Sequence, residues 1–140
     1  MTALNKITNR VNLHGNPDAA ETPRPLLTLE EFFEGNDVVG SIGCNLETIP
    51  EPAEFYKLLS QIREKQNVKD VRVQVTAFDD PDWPFSDTVW VITSESPDEV
   101  STWFPDLLKP DECWAGWIED QSYEKIEVQQ GMQPVACWWD

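Results

Sequence analysis

Basic side chains are scarce in this sequence: ten Lys and Arg stand against 26 Asp and Glu, leaving a formal net charge of −16 at pH 7. Neutralising a phosphate backbone takes clustered Lys and Arg, so no nucleic-acid binding is expected, and anionic membrane surfaces are disfavoured on the same ground. Long apolar runs are also missing. No stretch approaches the roughly 18 apolar residues of a spanning helix. The opening MTALNKITNRVNLHGN carries no continuous apolar segment of the kind a secretory leader needs. Cysteine is sparse: Cys44, Cys113 and Cys137 are odd in number and show no C-x-x-C spacing. That argues against a disulfide framework and against a zinc ribbon, and suits a reducing compartment. A cytoplasmic protein is the expectation. Histidine is rarer still, with His14 alone. No general base stands beside Cys44, and a Cys3His metal set would have to draw on residues far apart in the chain. Gly40-Ser41-Ile42-Gly43 lacks the Lys and the spacing of a P-loop and does not match G-x-G-x-x-G. No catalytic residue, metal or cofactor is therefore assigned, and a non-enzymatic role is favoured over an enzymatic one.

What the chain does hold is large aromatic side chains: seven Trp, six Phe and two Tyr among 140 residues. A single domain of this length buries roughly 68% of the surface its unfolded chain exposes, and aromatic rings dominate such cores. Residues 1–25 mix Asn, Thr, Pro and Ala and are read as a flexible N-terminal tail, in which Leu4, Ile7, Val11 and Leu13 offer some packing surface. Residues 26–140 are read as one α+β domain.

Within that domain, Thr28-Leu29-Glu30-Glu31 has the Ser/Thr-x-x-Glu form of a capping box, and Gly35-Asn36 closes the short helix it starts. Ile42, Cys44 and Leu46 alternate with small or polar residues, which predicts a short strand over 40–46. From Pro52 to about Lys65, Phe55, Leu58, Leu59 and Ile62 recur at i, i+3, i+4 and i+7, the stripe of an amphipathic helix. Val71, Val73 and Val75 alternate with Arg72, Gln74 and Thr76 in the clearest strand of the chain. In DTVWVITS both faces are apolar, so that strand is placed centrally in the sheet. Ser96-Pro97-Asp98-Glu99 is a strong helix start, and Pro105 predicts that this helix kinks or divides. Beyond Pro110, CWAGWI, YEKIEVQ and PVACWWD predict at least one hairpin. If ACWWD is a strand, Trp138 and Trp139 point to opposite faces and one of them is buried. The order strand, helix, strand, strand, helix, strand predicts a two-layer α+β sandwich with a ferredoxin-like split βαβ arrangement and an extra C-terminal hairpin.

The most distinctive segment is Asp79-Asp80-Pro81-Asp82-Trp83-Pro84-Phe85-Ser86-Asp87, four carboxylates and two aromatics between two strands. Its spacing does not match the EF-hand loop and lacks that loop's Gly and terminal Glu. Asp79, Asp80, Asp82, Trp83, Phe85 and Asp87 are the candidate binding residues, with Trp83 and Phe85 as anchors in an acidic surround. The alternative is that the rings fold back onto the core while the acids cap turns.

The stretch from LTLEEFFEGND through GSIGCNL, with PFSDTVWVITSESPDEV downstream, resembles a family of small uncharacterised bacterial proteins of unknown function, over residues 27 to about 118. The resemblance implies a bacterial origin and brings no activity or functional residue with it. The residues themselves favour an acidic protein-binding domain that meets a basic protein partner, as an immunity or inhibitor protein does, through residues 79–87 and 111–120. The alternatives are a small-molecule-binding domain or minor enzyme with a pocket near residues 40–46, and self-association into a homo-oligomer through the terminal strand.

Overall fold

The structure, a computed structural model, describes residues 3–15, 22–78 and 82–140. Helix α1 is Ala3–His14, and strand β1, Leu26–Thr28, runs directly into helix α2, Leu29–Phe33. Helix α3, Pro52–Arg63, leads into strands β2, Val68–Gln74, and β3, Thr88–Thr93. Helix α4, Pro97–Ser101, and a 3₁₀ turn, Asp106–Leu108, precede strands β4, Glu112–Ala115, and β5, Gln133–Trp138. The strands form one sheet in the order β1-β2-β3-β5-β4, with every neighbour antiparallel. The protein is of the α+β class.

Strand alternation sorts the side chains into two layers. Val71, Val73, Val89, Val91, Val135 and Cys137 pack with Phe32, Phe55, Leu59 and Ile62 from the helices in the main core. Leu26, Trp90 and Ala136 point the other way and are covered by Trp114, Tyr123 and Ile126. β3 is buried at every position, as a strand that is apolar on both faces and central in a sheet must be.

The local signals act as their chemistry requires. The Thr28 hydroxyl accepts the Glu31 N–H at 3.1 Å while the Thr28 N–H donates to the Glu31 carboxylate at 2.8 Å, so each end of the box satisfies the other. Replacing Thr28 by alanine is expected to cost about 1 kcal/mol, read as a lower urea midpoint at unchanged slope. α3 buries Phe55, Leu59 and Ile62, with Pro52 in its first turn. Ser96 caps α4 through the Glu99 N–H, and the predicted division occurs: helix stops at Ser101 and resumes as the 3₁₀ turn after Pro105.

Three expectations meet a different arrangement: the strand over 40–46, the split βαβ order and a strand from YEKIEVQ. Residues 40–46 form turns rather than a strand, with one parallel bridge between Ile42 and Ser86. Gly40 and Gly43 take φ of +92° and +69°, which breaks the pleat. Gly43 also lies so close to the main core that an added Cβ would sit 2.8 Å from the Phe55 ring. The first strand of the sheet is instead the short β1, so the split βαβ order is not the order observed. YEKIEVQ forms no strand; it crosses the second face of the sheet as irregular chain, and β4 pairs with β5 across the intervening residues 116–132. β5 is paired on both sides within the sheet. Of the expected tail, Ala3–His14 is helical because Ile7 and Val11 bury against the main core, while Leu13 stays 79% exposed. Residues 16–21 lie outside the described residues. Among the described residues no helix is long and apolar enough to cross a membrane.

Candidate functional site

Two segments of carboxylates that are distant in sequence come together on the second face of the sheet. The register sets Thr88 beside Trp138 and Trp138 beside Glu112, so the start of β3, the end of β5 and the start of β4 lie in one row. Above that row is a groove of about 330 Å³ whose walls include Asp87, Glu112, Trp114, Ile118, Trp138 and Arg24. Asp87 closes the predicted 79–87 segment, and Glu112 and Ile118 belong to 111–120.

The floor is a chain of hydrogen bonds. The Trp90 indole N–H donates to Gln74 Oε1 at 2.9 Å, and Gln74 Nε2 donates to Thr76 Oγ1 at 3.1 Å. Thr76 Oγ1 and Thr88 Oγ1 donate to Asp87 Oδ1 at 2.7 and 2.8 Å. Both hydroxyl donors meet one carboxylate oxygen, which fixes the Asp87 side chain at the groove wall. Every buried side-chain polar atom among the described residues has a partner. An aromatic cluster adjoins the groove: Trp90 packs against Trp117, Tyr123 and Trp114 at ring-centroid distances of 4.5, 5.4 and 6.5 Å. Trp117 and Ile118 keep 38% and 37% of their surface in solvent, which places apolar surface beside the acids. Burial, against the charge of Arg24, pushes the Tyr123 phenol up, so it stays neutral and donates to Gln121 Oε1 at 3.1 Å.

The structure describes four of the six candidate residues read from the sequence, Asp82, Trp83, Phe85 and Asp87, and those four do not share one surface. Asp79 and Asp80 lie outside the described residues, and Asp82 is exposed. Trp83 is not a surface anchor; it is 6% exposed in the main core and donates its indole N–H to the Phe32 carbonyl at 2.9 Å. A Trp flanked by Pro and followed by alternating apolar residues folds inward because its ring gains more from the core than from solvent. Phe85 is half-buried and continues the β2–β3 ladder through backbone bonds with Thr76 and Ala77. Among the described candidates, Asp87 alone lines the groove. Trp138 and Trp139 do separate as their alternation predicts: Trp139 is 2% exposed with its N–H on the Leu108 carbonyl, while Trp138 is half-buried on the groove. The groove residues that the sequence did not single out, Gln74, Thr76 and Thr88, look like ordinary outward strand positions; their signal was the shared face with Trp90.

A second groove of about 330 Å³ between α1 and α2 is lined by Lys6, Arg10, Glu30, Glu31 and Glu34. Two of its carboxylates are already engaged. Glu30 accepts two Arg63 bonds at 2.8 and 2.7 Å and the Tyr56 hydroxyl at 3.2 Å, and Glu31 is held by Thr28 and Arg10. The Arg10–Glu31 pair in its wall ties α1 to α2. His14, Cys44, Cys113 and Cys137 do not form a metal centre: His14 sits 2.9 Å from Glu124, and Cys113 pairs with Cys137 across β4 and β5. Among the described residues no group of three or more His, Cys, Asp or Glu could hold a metal ion.

Comparison with known proteins places the chain. No solved structure matches it. The uncharacterized protein YfbO of Escherichia coli (strain K12) is 51% identical over 140 residues, all of both chains. The model of the family described as uncharacterized protein YfbO matches residues 2–137. Nearly the whole chain is covered by both likenesses, and it belongs to the YfbO family.

Proposed function

We propose that the protein is a non-enzymatic binding protein whose groove on the second sheet face receives basic side chains of a protein partner, as an immunity or inhibitor protein would. The observation that carries this reading is the meeting of Asp87 and Glu112 with Trp114 and Trp138 in one groove. A guanidinium or ammonium group gains from both kinds of neighbour, Coulombic attraction from carboxylates and the negative faces of indole rings. The net charge of −16 adds long-range steering of a basic partner, which raises association rate more than affinity. The cytoplasm is the proposed place of action.

The test compares the native protein with a Glu112→Lys, Trp138→Ala double variant as baits in cell extract, followed by direct binding of each purified hit. The expected outcome is a protein with a basic surface that binds the native bait, loses at least tenfold in affinity to the variant, and is released as salt rises. Equal binding to both baits overturns the reading.

A small cationic molecule in place of a protein is the second reading, because about 330 Å³ with convergent polar groups falls within the range of ligand sites. This groove is across the sheet from residues 40–46, where the sequence had suggested a pocket. A thermal upshift with spermidine that Glu112→Lys abolishes would favour it over a protein partner.

A further inference from the structure

Cys113 on β4 and Cys137 on β5 are directly opposed across the antiparallel pair. The Gly116 N–H donates to the Pro134 carbonyl at 2.8 Å, which makes Gly116/Pro134 a hydrogen-bonded pair and, by the two-residue alternation, Trp114/Ala136 another. Cys113/Cys137 is therefore a non-hydrogen-bonded pair. In such pairs the facing Cα atoms approach to about 4.5 Å, and disulfides span Cα separations of about 4.4–6.8 Å. The bond can close with little movement of the backbone.

Both side chains point to the helix-covered face, and both are free thiols that face each other across the strand pair. Their surroundings differ. Cys137 is fully buried, whereas Cys113 keeps part of its surface in solvent. The neighbouring Cys137 thiol, opposed by burial and helped by the charge of Lys109, holds the Cys113 thiol below its ordinary range. The facing Cys113 sulfur, together with burial, pushes Cys137 up. One sulfur is thus reachable and inclined to the thiolate, and the other waits behind it as a thiol.

We propose that Cys113 and Cys137 are a redox-responsive pair that a peroxide converts into an intrachain disulfide stapling the edge strand β4 to β5. The Cys113 thiolate attacks one peroxide oxygen, the O–O bond breaks, and hydroxide leaves as Cys113 becomes a sulfenic acid. The Cys137 sulfur then attacks the Cys113 sulfur; the S–S bond forms, the S–O bond breaks, and the departing hydroxide takes up the Cys137 thiol proton as water. Two thiols and one hydrogen peroxide give one disulfide and two waters. Exchange with a dithiol reductant reverses the step. β4 is the strand that gains, since it is paired on one side only. The staple closes the chain from 113 to 137 and constrains the unfolded state.

The test treats the intact native protein with hydrogen peroxide, blocks remaining thiols with iodoacetamide and digests it with trypsin without reduction. Cleavage after Lys125 separates the two cysteines. The expected product is a cross-linked pair of peptides joining Cys113 to Cys137, with Cys44 alkylated, and a thermal midpoint about 5–10 °C higher that dithiothreitol returns to its starting value. The Cys113→Ser variant, altered at the partly exposed position, should fold, give no cross-link and show no upshift. Cys113 and Cys137 recovered on separate peptides, whether alkylated or oxidised to sulfinic acid, overturn the proposal, as does a cross-link that engages Cys44.

Discussion

Replacing Trp90 by alanine is expected to remove about 3–5 kcal/mol of stability, a large part of the roughly 5–15 kcal/mol that holds a domain of this size together. Trp90 is fully buried at the centre of the second sheet face, and its ring is the common neighbour of Trp114, Trp117 and Tyr123. Truncation leaves a cavity where those rings met and strips Gln74 Oε1 of the indole N–H it accepts at 2.9 Å. The segment that covers this face is tied down by few backbone bonds, chiefly Arg24 N–H to the Ser122 carbonyl and Glu124 N–H to the Arg24 carbonyl. Ring packing on Trp90 and the bonds of the Glu124 carboxylate to Arg10 and the Leu26 N–H supply the rest, so the loss should reach beyond the mutated site. Urea unfolding followed by circular dichroism gives the size of the effect. The near-ultraviolet signal of the coupled indoles should collapse in the native buffer before any denaturant is added. Trp90→Phe separates the two contributions: it keeps most of the apolar volume and loses the donor, for an expected cost of about 1–2 kcal/mol. An alanine variant within 1 kcal/mol of the native protein would show that the covering segment holds itself in place.

The same residue shows what could be read in the sequence and what could not. Trp90 and Ile92 opposite Val89 and Val91 announced a central strand, because period-two alternation with both phases apolar has no other stable position, and β3 is that strand. Thr28 and Ser96 announced helix starts because capping acts within four residues of chain. Residues 40–46 failed for the opposite reason: Ile42, Cys44 and Leu46 alternate as a strand does, but the positive φ of Gly40 and Gly43 is a choice that side-chain pattern cannot report. YEKIEVQ alternates too, yet an exposed aromatic face with no helix over it draws Tyr123 and Ile126 down as a cover, and tertiary demand overrides β propensity. For the groove, the sequence pointed to acids in two segments and could not supply their meeting point, which depends on the β3-β5-β4 order. Its emphasis on Trp83 followed loop composition, while the ring's fate was decided by the Phe32 carbonyl and the core around it.

Glu124→Ala is expected to cost about 3 kcal/mol and to release α1 from the sheet edge, because this one carboxylate gathers most of the polar contacts that hold the helix. Its Oε1 accepts Arg10 Nη2 at 2.7 Å and the Leu26 N–H at 2.9 Å, Arg10 Nε reaches both oxygens at 3.0 Å, and His14 Nε2 lies 2.9 Å from Oε2. Alanine leaves the N–H of a fully buried strand residue without its acceptor and the Arg10 charge with Glu31 as its remaining carboxylate. Burial alone would raise the Glu124 carboxyl, but the bonds from Arg10 and the Leu26 N–H, the Arg10 charge and His14 together hold it below the usual carboxylate range. Glu30, held by Arg63, and Glu31, where Thr28 and Arg10 outweigh burial, are lowered as well. A carboxyl whose folded pKa lies below its unfolded value binds its proton more tightly in the unfolded chain. Its contribution is therefore complete above the unfolded pKa near about 4.3 and is lost as pH falls through the lowered folded value. Stability should be flat with respect to these groups near neutrality and drop below about pH 4. Glu124→Gln distinguishes this from general acid unfolding, since the amide oxygen still accepts the Leu26 N–H but cannot be protonated in this range. Urea midpoints measured between about pH 3 and pH 7 should fall less steeply on the acid side for Glu124→Gln than for the native protein. Helical signal from α1, read by amide exchange over Ala3–His14, should be lost earlier in acid than signal from β3. Identical acid slopes for the two proteins would mean that the clamp on α1 draws its strength from Arg10 and Glu31 instead.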